Sequence, residues 1–202
     1  MPAATVGEPM SVPLLFALAA LALAVLSALY WFGRDPERYG PRGPGLILAP
    51  ADGTVLVVEQ TAAPCWMTVP AWRIAIFLSL FDVHVQRSPT AGRIAYSERR
   101  PGGHYPAMQP RAAANAGHWL GLESANGPLL VLRTAGRLAR RVTATVALGT
   151  ELDQGQRIGR ILLGSRTEVY LPLAAQPIVS VGQHVRAGET VIARWSASEP
   201  PR

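Results

Sequence analysis

The 202-residue sequence contains no lysine, and all 19 of its lysine-plus-arginine positions are arginine. That absence excludes the internal lysine imine of pyridoxal enzymes, the phosphate-gripping lysine of a P-loop and the catalytic amine of a class I aldolase. Amine chemistry on this chain would need a carbonyl from another source. Cysteine is almost as scarce. The single Cys65 permits neither an intrachain disulfide nor a multi-cysteine metal centre, which suits a reducing compartment, and no metal site is expected. Aromatic residues make up only 7% of the chain, and the arginines are scattered apart from the pairs Arg99-Arg100 and Arg140-Arg141. No basic stripe interleaved with aromatics results, so nucleic acid is not an expected partner. The net charge of +6 still favours anionic partners, and acidic lipid headgroups stay open.

Charge is also missing over one long stretch. From Pro9 to Gly33 there is no charged residue, and Val12 to Phe32 is long and apolar enough to cross about 30 Å of hydrocarbon as a helix. No basic residue precedes this run, and it ends in Tyr30-Trp31-Phe32 instead of a small-residue cleavage site, so it reads as an anchor and not a signal peptide. Arg34, Arg38 and Arg42 follow it against a lone Glu8 before it, which predicts a cell-membrane protein with its body on the cytoplasmic side. A single span and a re-entrant helical hairpin both fit. The expected division is an anchor over 1–33, a Pro/Gly/Arg-rich connector over 34–44 and a functional body over 45–202.

Within the body, apolar residues come in short runs bounded by Gly, Pro and Asp, among them Leu46-Ile47-Leu48, Val55 to Val58, Ile74 to Val85 and Val169 to Leu171. These predict strands. Only Pro110 to His118 has helical character, so the expected fold is α+β and mainly β. A weak repeat relates Val146 to Ile158 with Val179 to Val191. Their shared spacing of Gly149 and Gly155 with Gly182 and Gly188 predicts the strand-and-glycine-turn elements of lipoyl-like and hammerhead folds.

Three places invite chemistry. Gly164-Ser165 reads as a hairpin turn, or as a strained bond whose carbonyl meets the Ser165 hydroxyl; an N-to-O acyl shift and elimination there would leave a pyruvoyl group. In Ile74 to Arg87, read as one strand turning polar at its end, alternation puts Leu80, Asp82, His84 and Gln86 on one face, with His84 a candidate general base. Pro50-Ala51-Asp52-Gly53 is a turn into a strand, and Asp52 would complete a nucleophile, base and orienter set.

The chain resembles the phosphatidylserine decarboxylases, in particular their short bacterial and archaeal branch. The resemblance rests on Phe32-Gly33-Arg34-Asp35-Pro36-Glu37-Arg38, Pro50-Ala51-Asp52-Gly53, Phe77 to Pro89, Ile158-Gly159-Arg160 and Leu163-Gly164-Ser165-Arg166, in that order. It implies self-cleavage at Gly164-Ser165 into large and small chains and a covalent pyruvoyl cofactor made from Ser165. It also implies an Asp52, His84 and Ser165 cleavage triad, and phosphatidylserine as a substrate that forms a Schiff base with the pyruvoyl group and loses carbon dioxide. His84 would assist the decarboxylation too. Arg87 or Arg166 is a candidate for the lipid phosphate, and a homo-oligomer is open. One loop departs from the family pattern. Between Pro101 and Glu123 relatives carry a lysine and an Asn-Glu pair, whereas here Asn115 precedes Ala116 and Gly117; His104 or His118 would then compensate, or be an ordinary loop residue.

Two other classes compete with this reading. One is a membrane-anchored serine lipid hydrolase using Ser165, His84 and Asp52, although no Gly-x-Ser-x-Gly elbow surrounds Ser165. The other is a non-enzymatic lipoyl-like adaptor in which all three residues belong to turns.

Overall fold

The computed structural model describes residues 11–62, 64–136, 142–161 and 165–196; Arg140-Arg141 and Gly164 lie outside the described residues. The chain divides into two units, the second beginning at Asp35. In the first, leucine and alanine dominate a single continuous helix, α1 (Val12–Gly33), with Pro13 tolerated in its first turn. Its most apolar window has a mean hydropathy of 2.6 and none of it is buried, so it is long and apolar enough to cross a membrane. Arg34 closes it by donating to the Trp31 carbonyl at 2.6 Å, with its guanidinium 4.2 Å from the centre of the Trp31 ring.

The second unit is built from short strands. In chain order these are β1 (Leu46–Leu48), β2 (Gly53–Thr61), β3 (Ala71–Leu78), β4 (Val85–Arg87), β5 (Gly92–Arg100), β6 (Gly117–Ser124) and β7 (Gly127–Thr134). They continue as β8 (Val142–Ala144), β9 (Glu151–Leu152), β10 (Arg157–Ile161), β11 (Ser165–Pro172), β12 (Ala175–Pro177), β13 (His184–Val185) and β14 (Val191–Trp195). A single 3-10 turn, Pro110–Ala114, interrupts them among the described residues. The fold is α+β and mainly β, as expected. An eight-stranded sheet runs β13-β2-β3-β11-β7-β6-β5-β9, flanked by the three-stranded sheets β1-β14-β12 and β4-β10-β8.

Read from its two ends, the large sheet matches itself. β13-β2-β3-β11 lays onto β9-β5-β6-β7, and the approximate twofold axis passes between Val169 and Val131, which face each other across the β11–β7 ladder. Even the irregularities repeat: a bulge between Val55 and Val57 in β2 has its partner between Ile94 and Tyr96 in β5. The turn glycines of the sequence repeat agree as well, all four of Gly149, Gly155, Gly182 and Gly188 having positive φ. The repeat therefore extends far beyond the segment legible in the sequence. One half is β4 to β10; the other is β1 to β3 plus β11 to β14, with the first half inserted between Leu78 and Ser165. In the inserted half the equivalent junction is the tight Ala125-Asn126 turn, where Ser124 faces Gly127 as Leu78 faces Ser165.

Each half has its own core, around Ile74, Ile76, Leu171 and Ile192 in one and Ile94, Leu120, Leu122 and Ile158 in the other. Burying each such side chain contributes about 1.5–3 kcal/mol. Residues after Asp35 belong to this unit. Asp35 pairs with Arg157 at 2.8 Å, Glu37 with Arg157 at 2.7 Å, and Arg38 with Asp52 at 2.7 Å and Glu189 at 3.0 Å, so the segment read as a connector is a strap fastened by ion pairs.

Two local expectations change. Ile74 to Arg87 is not one strand: β3 stops at Leu78 because Asp82 Oδ2 accepts from the Ser79 amide at 2.8 Å and the Ser79 hydroxyl at 2.7 Å, closing a turn that leaves Leu80 and Phe81 exposed. The common face assigned to Leu80, Asp82, His84 and Gln86 is therefore lost. His118 lies on β6, since the helical character of Pro110 to His118 ends at Ala114.

The start of β2 tolerates only glycine. Gly53 has φ +144°, and a Cβ there would stand 2.0 Å from the Phe77 carbonyl oxygen. Gly53→Ala is expected to cost well over about 1 kcal/mol, seen as a lowered urea midpoint at unchanged slope.

Candidate active site

Strand register brings the candidate residues to one end of the large sheet. Ser165 opens β11 opposite Leu78, and Thr54 in β2 stands opposite Phe77. Asp52 and Ser165 thus flank the same end of β3, about 10 Å apart at two strand spacings. The link from β3 to β4 carries His84 to that end, where its carbonyl accepts the Ile161 amide at 3.2 Å. Ile161 ends β10, just upstream of Ser165. Near that end Thr167 Oγ1 of β11 donates to Gln86 Oε1 of β4 at 2.8 Å, and Ser165 and His84 each lie two residues before a member of that pair.

Ser165 is fully buried, and its Oγ has no hydrogen-bond partner among the described residues. His84 is 1% exposed, and its Nδ1 lies 2.8 Å from the Asp82 carbonyl oxygen. A carbonyl only accepts, so Nδ1 carries the hydrogen and Nε2 is the basic nitrogen. The Asp82 turn is itself held, because Oδ1 of its carboxylate meets His184 Nε2 at 2.9 Å. Burial opposes ionisation of Asp82, but the hydrogen bonds from Ser79 and His184 outweigh it and keep its pKa below the ordinary value.

Asp52 is 5% exposed. Its carboxylate accepts from Arg38 at 2.7 Å and from the Ala187 amide at 2.7 Å. In the other half Ala91 occupies the equivalent position, between Pro89 and Gly92, so the turn does not require an aspartate. Arg87 is buried and donates to the carbonyls of Gly155 at 3.0 Å and Pro36 at 2.9 Å, locking the strap. Arg166, also buried, meets Glu168 at 2.7 Å; Glu168 in turn accepts from Tyr170 at 2.6 Å. The pairing of Arg38 with Asp52 and the part played by the Asp82 carbonyl were not legible in the sequence. The first hides in a Pro/Gly-rich stretch, and a backbone group leaves no residue signature.

A further buried pair lies on β6 and β7. Arg133 is wholly buried, donates to the Thr143 and Ile158 carbonyls at 3.2 and 3.1 Å, and donates to His118 Nδ1, while His118 Nε2 bonds Ser97 Oγ at 3.1 Å. Burial, then the charges of Arg133 and Arg99, push the His118 pKa down to about 4.

Comparison with known proteins settles the family. The phosphatidylserine decarboxylase model matches residues 25–193, a span that includes Asp52, His84 and Ser165. The phosphatidylserine decarboxylase proenzyme of Symbiobacterium thermophilum is 45% identical over 88% of this chain and 81% of its own, and that of Ruegeria pomeroyi is 43% identical over 81% and 77%. The proenzyme of Azorhizobium caulinodans is 38% identical over 94% and 82%. The chain belongs to the phosphatidylserine decarboxylase family. It is therefore a decarboxylase made as a proenzyme. The match to the phosphatidylserine decarboxylases runs from within α1 to β14, so both halves of the duplicated sheet belong to the family's shared part.

The His118 environment makes stability depend on pH. Its folded pKa of about 4 lies below the ordinary histidine value of about 6.5, so unfolding takes up a proton between those values. Stability is expected to fall by on the order of 2 kcal/mol as pH drops from about 6.5 to 4. His118→Asn, which keeps an acceptor for Arg133, should flatten that part of the curve in urea titrations at stepped pH.

Proposed function

We propose that this protein cuts its own backbone between Gly164 and Ser165 and then decarboxylates phosphatidylserine to phosphatidylethanolamine at a membrane surface. The observation that carries this reading is the Ser165 hydroxyl, fully buried at the first position of β11 and without a hydrogen-bond partner among the described residues. Leaving such a group unsatisfied costs about 1–3 kcal/mol, which a role in bond rearrangement explains and a turn does not. The same burial counts against the hydrolase alternative, whose serine must meet substrate directly.

In this reading His84 Nε2 takes the Ser165 proton as Oγ attacks the Gly164 carbonyl carbon, and the peptide nitrogen leaves protonated as the ester forms. Loss of the Ser165 Cα hydrogen with cleavage of the Cβ–Oγ bond frees the Gly164 carboxylate and leaves dehydroalanine, which water converts to a pyruvoyl group with release of ammonia. The pyruvoyl carbonyl supplies the electron sink that a lysine-free chain lacks. Its position suits that task, since the group replaces a buried residue at a strand end. His84, fixed by the Asp82 carbonyl at the same end of the sheet, holds or returns a proton during decarboxylation in this reading. Asp52 supports the set by tying the start of β2 to Arg38 and the Ala187 amide. Arg87 and Arg166 act as positioning residues, because both guanidiniums are buried and engaged.

α1 serves as the membrane anchor, and the arginines after it favour the cytoplasmic side for the body. The small chain of 165–202 begins with β11, which pairs with β3 on one edge and β7 on the other. The two chains are therefore expected to co-elute in native gel filtration and to separate only in denaturant.

On a denaturing gel the active protein should run as a large fragment ending at Gly164 and a small one with a blocked, carbonyl-reactive N-terminus. Ser165→Ala should abolish both cleavage and carbon dioxide release, and His84→Ala should slow cleavage at least about 100-fold. A single intact band with full activity would overturn the reading.

A further inference from the structure

The family match and the proposed chemistry leave the headgroup phosphate without an assigned partner, and Arg87 and Arg166 are both committed elsewhere. A cleft of about 350 Å³ opens at the Ser165 end of the sheet, lined among others by Arg99, Arg100, Gly117, His118 and Ala135. Its position follows from register. Arg166 faces Thr134 at the end of the β11–β7 ladder, and the next residues outward on the two chains are Ser165 and Ala135. The Ala135 amide in turn donates to the Ala116 carbonyl at 3.3 Å, which places a wall of the cleft one strand from Ser165. Arg99 stands opposite His118 in the β5–β6 ladder and so shares its face.

The two arginines of the cleft differ. Arg100 donates to the carbonyls of Ala113 and Asn115 at 2.6 and 2.7 Å, whereas Arg99 is exposed and has no hydrogen-bond or carboxylate partner among the described residues. Bonded to His118 of the cleft wall, Arg133 is a wholly buried cation whose acceptors are two carbonyls and the neutral His118, with no carboxylate among the described residues. A buried cation without a counter-charge is costly, and an anion seated in the cleft would recover part of that cost.

We propose that this cleft holds the phosphodiester of the substrate headgroup, with Arg99 as the residue that grips it. The assignment rests on the decarboxylase reading given above. From Ser165 the line through β7 and β6 to β5 is about 14 Å at roughly 4.8 Å per strand, a length that an extended arginine and a serine phosphodiester together span. Charge logic selects phosphate over carboxylate. The carboxylate must leave as neutral carbon dioxide, so an arginine beside it would hold back the reaction, whereas the phosphodiester keeps its charge throughout. Arg99 then contributes equally to ground state and transition state, which affects KM and not kcat.

The test measures carbon dioxide release from phosphatidylserine in neutral detergent micelles, with self-cleavage followed on gels for every variant. Arg99→Ala should cleave itself at the wild-type rate, raise KM about 10-fold or more with kcat nearly unchanged, and weaken competitive inhibition by inorganic phosphate. Arg99→Lys should recover most of the KM. Arg93→Ala, which removes a charge paired with Glu123 near the other end of the same strand, should leave KM as it was. A wild-type KM in Arg99→Ala, or an equal rise in Arg93→Ala, would overturn the phosphate site alone. A wild-type protein that neither cleaves itself nor releases carbon dioxide would sink the decarboxylase reading and this site together.

Discussion

The site depends on one ladder. β11 is paired along its length with β3 and along most of it with β7, and that double pairing fixes Ser165 opposite Leu78 at a strand end where its hydroxyl is shut away from water. With either edge missing, Ser165 would face solvent as an ordinary turn residue. His84 depends on the same ladder at one remove, through the Gln86–Thr167 bond and the Ile161 amide on its carbonyl. Both residues are thus placed by backbone pairing, and side-chain contacts only refine the result.

Arginine carries much of the remaining order. Arg38, Arg87 and Arg157 fasten the strap after Asp35 to three separate places on the body, and each uses the several donors of a guanidinium at once. A lysine has one cationic centre and could not bridge two groups in fixed geometry. The absence of lysine therefore bears on architecture as well as on chemistry.

Several features were legible beforehand for identifiable reasons. Leucine- and alanine-rich sequence without charge marks α1, and punctuation by Gly, Pro and Asp marks the strands. The spacing of Gly149, Gly155, Gly182 and Gly188 exposed the repeat because each must adopt positive φ. Its full extent was hidden, since one half lies inside the other and strand pairing tolerates almost any apolar residue. Comparing Pro50-Ala51-Asp52-Gly53 with Pro89-Thr90-Ala91-Gly92 would have shown Asp52 as a departure that the turn does not need. The break at Leu78 was missed because Ser79 and Asp82 close their turn through side-chain bonds that alternation does not register. His84 was found by residue type, but the group that orients it is the Asp82 carbonyl, and no residue code reports a carbonyl.

The insertion of one half between Leu78 and Ser165 also bears on the molecularity of folding. In the uncut chain that half is a closed loop hung from a paired strand end, and every contact of β11 with β3 and β7 forms within one molecule. The proposed cut at the upstream side of Ser165 would leave those contacts in place but end the covalent link between their partners. Folding that was first order becomes second order, and the stability of the two-chain form becomes a function of concentration. A protein built this way has to fold before it is cut, and once cut it keeps its shape through the slowness of unfolding more than through its ability to refold.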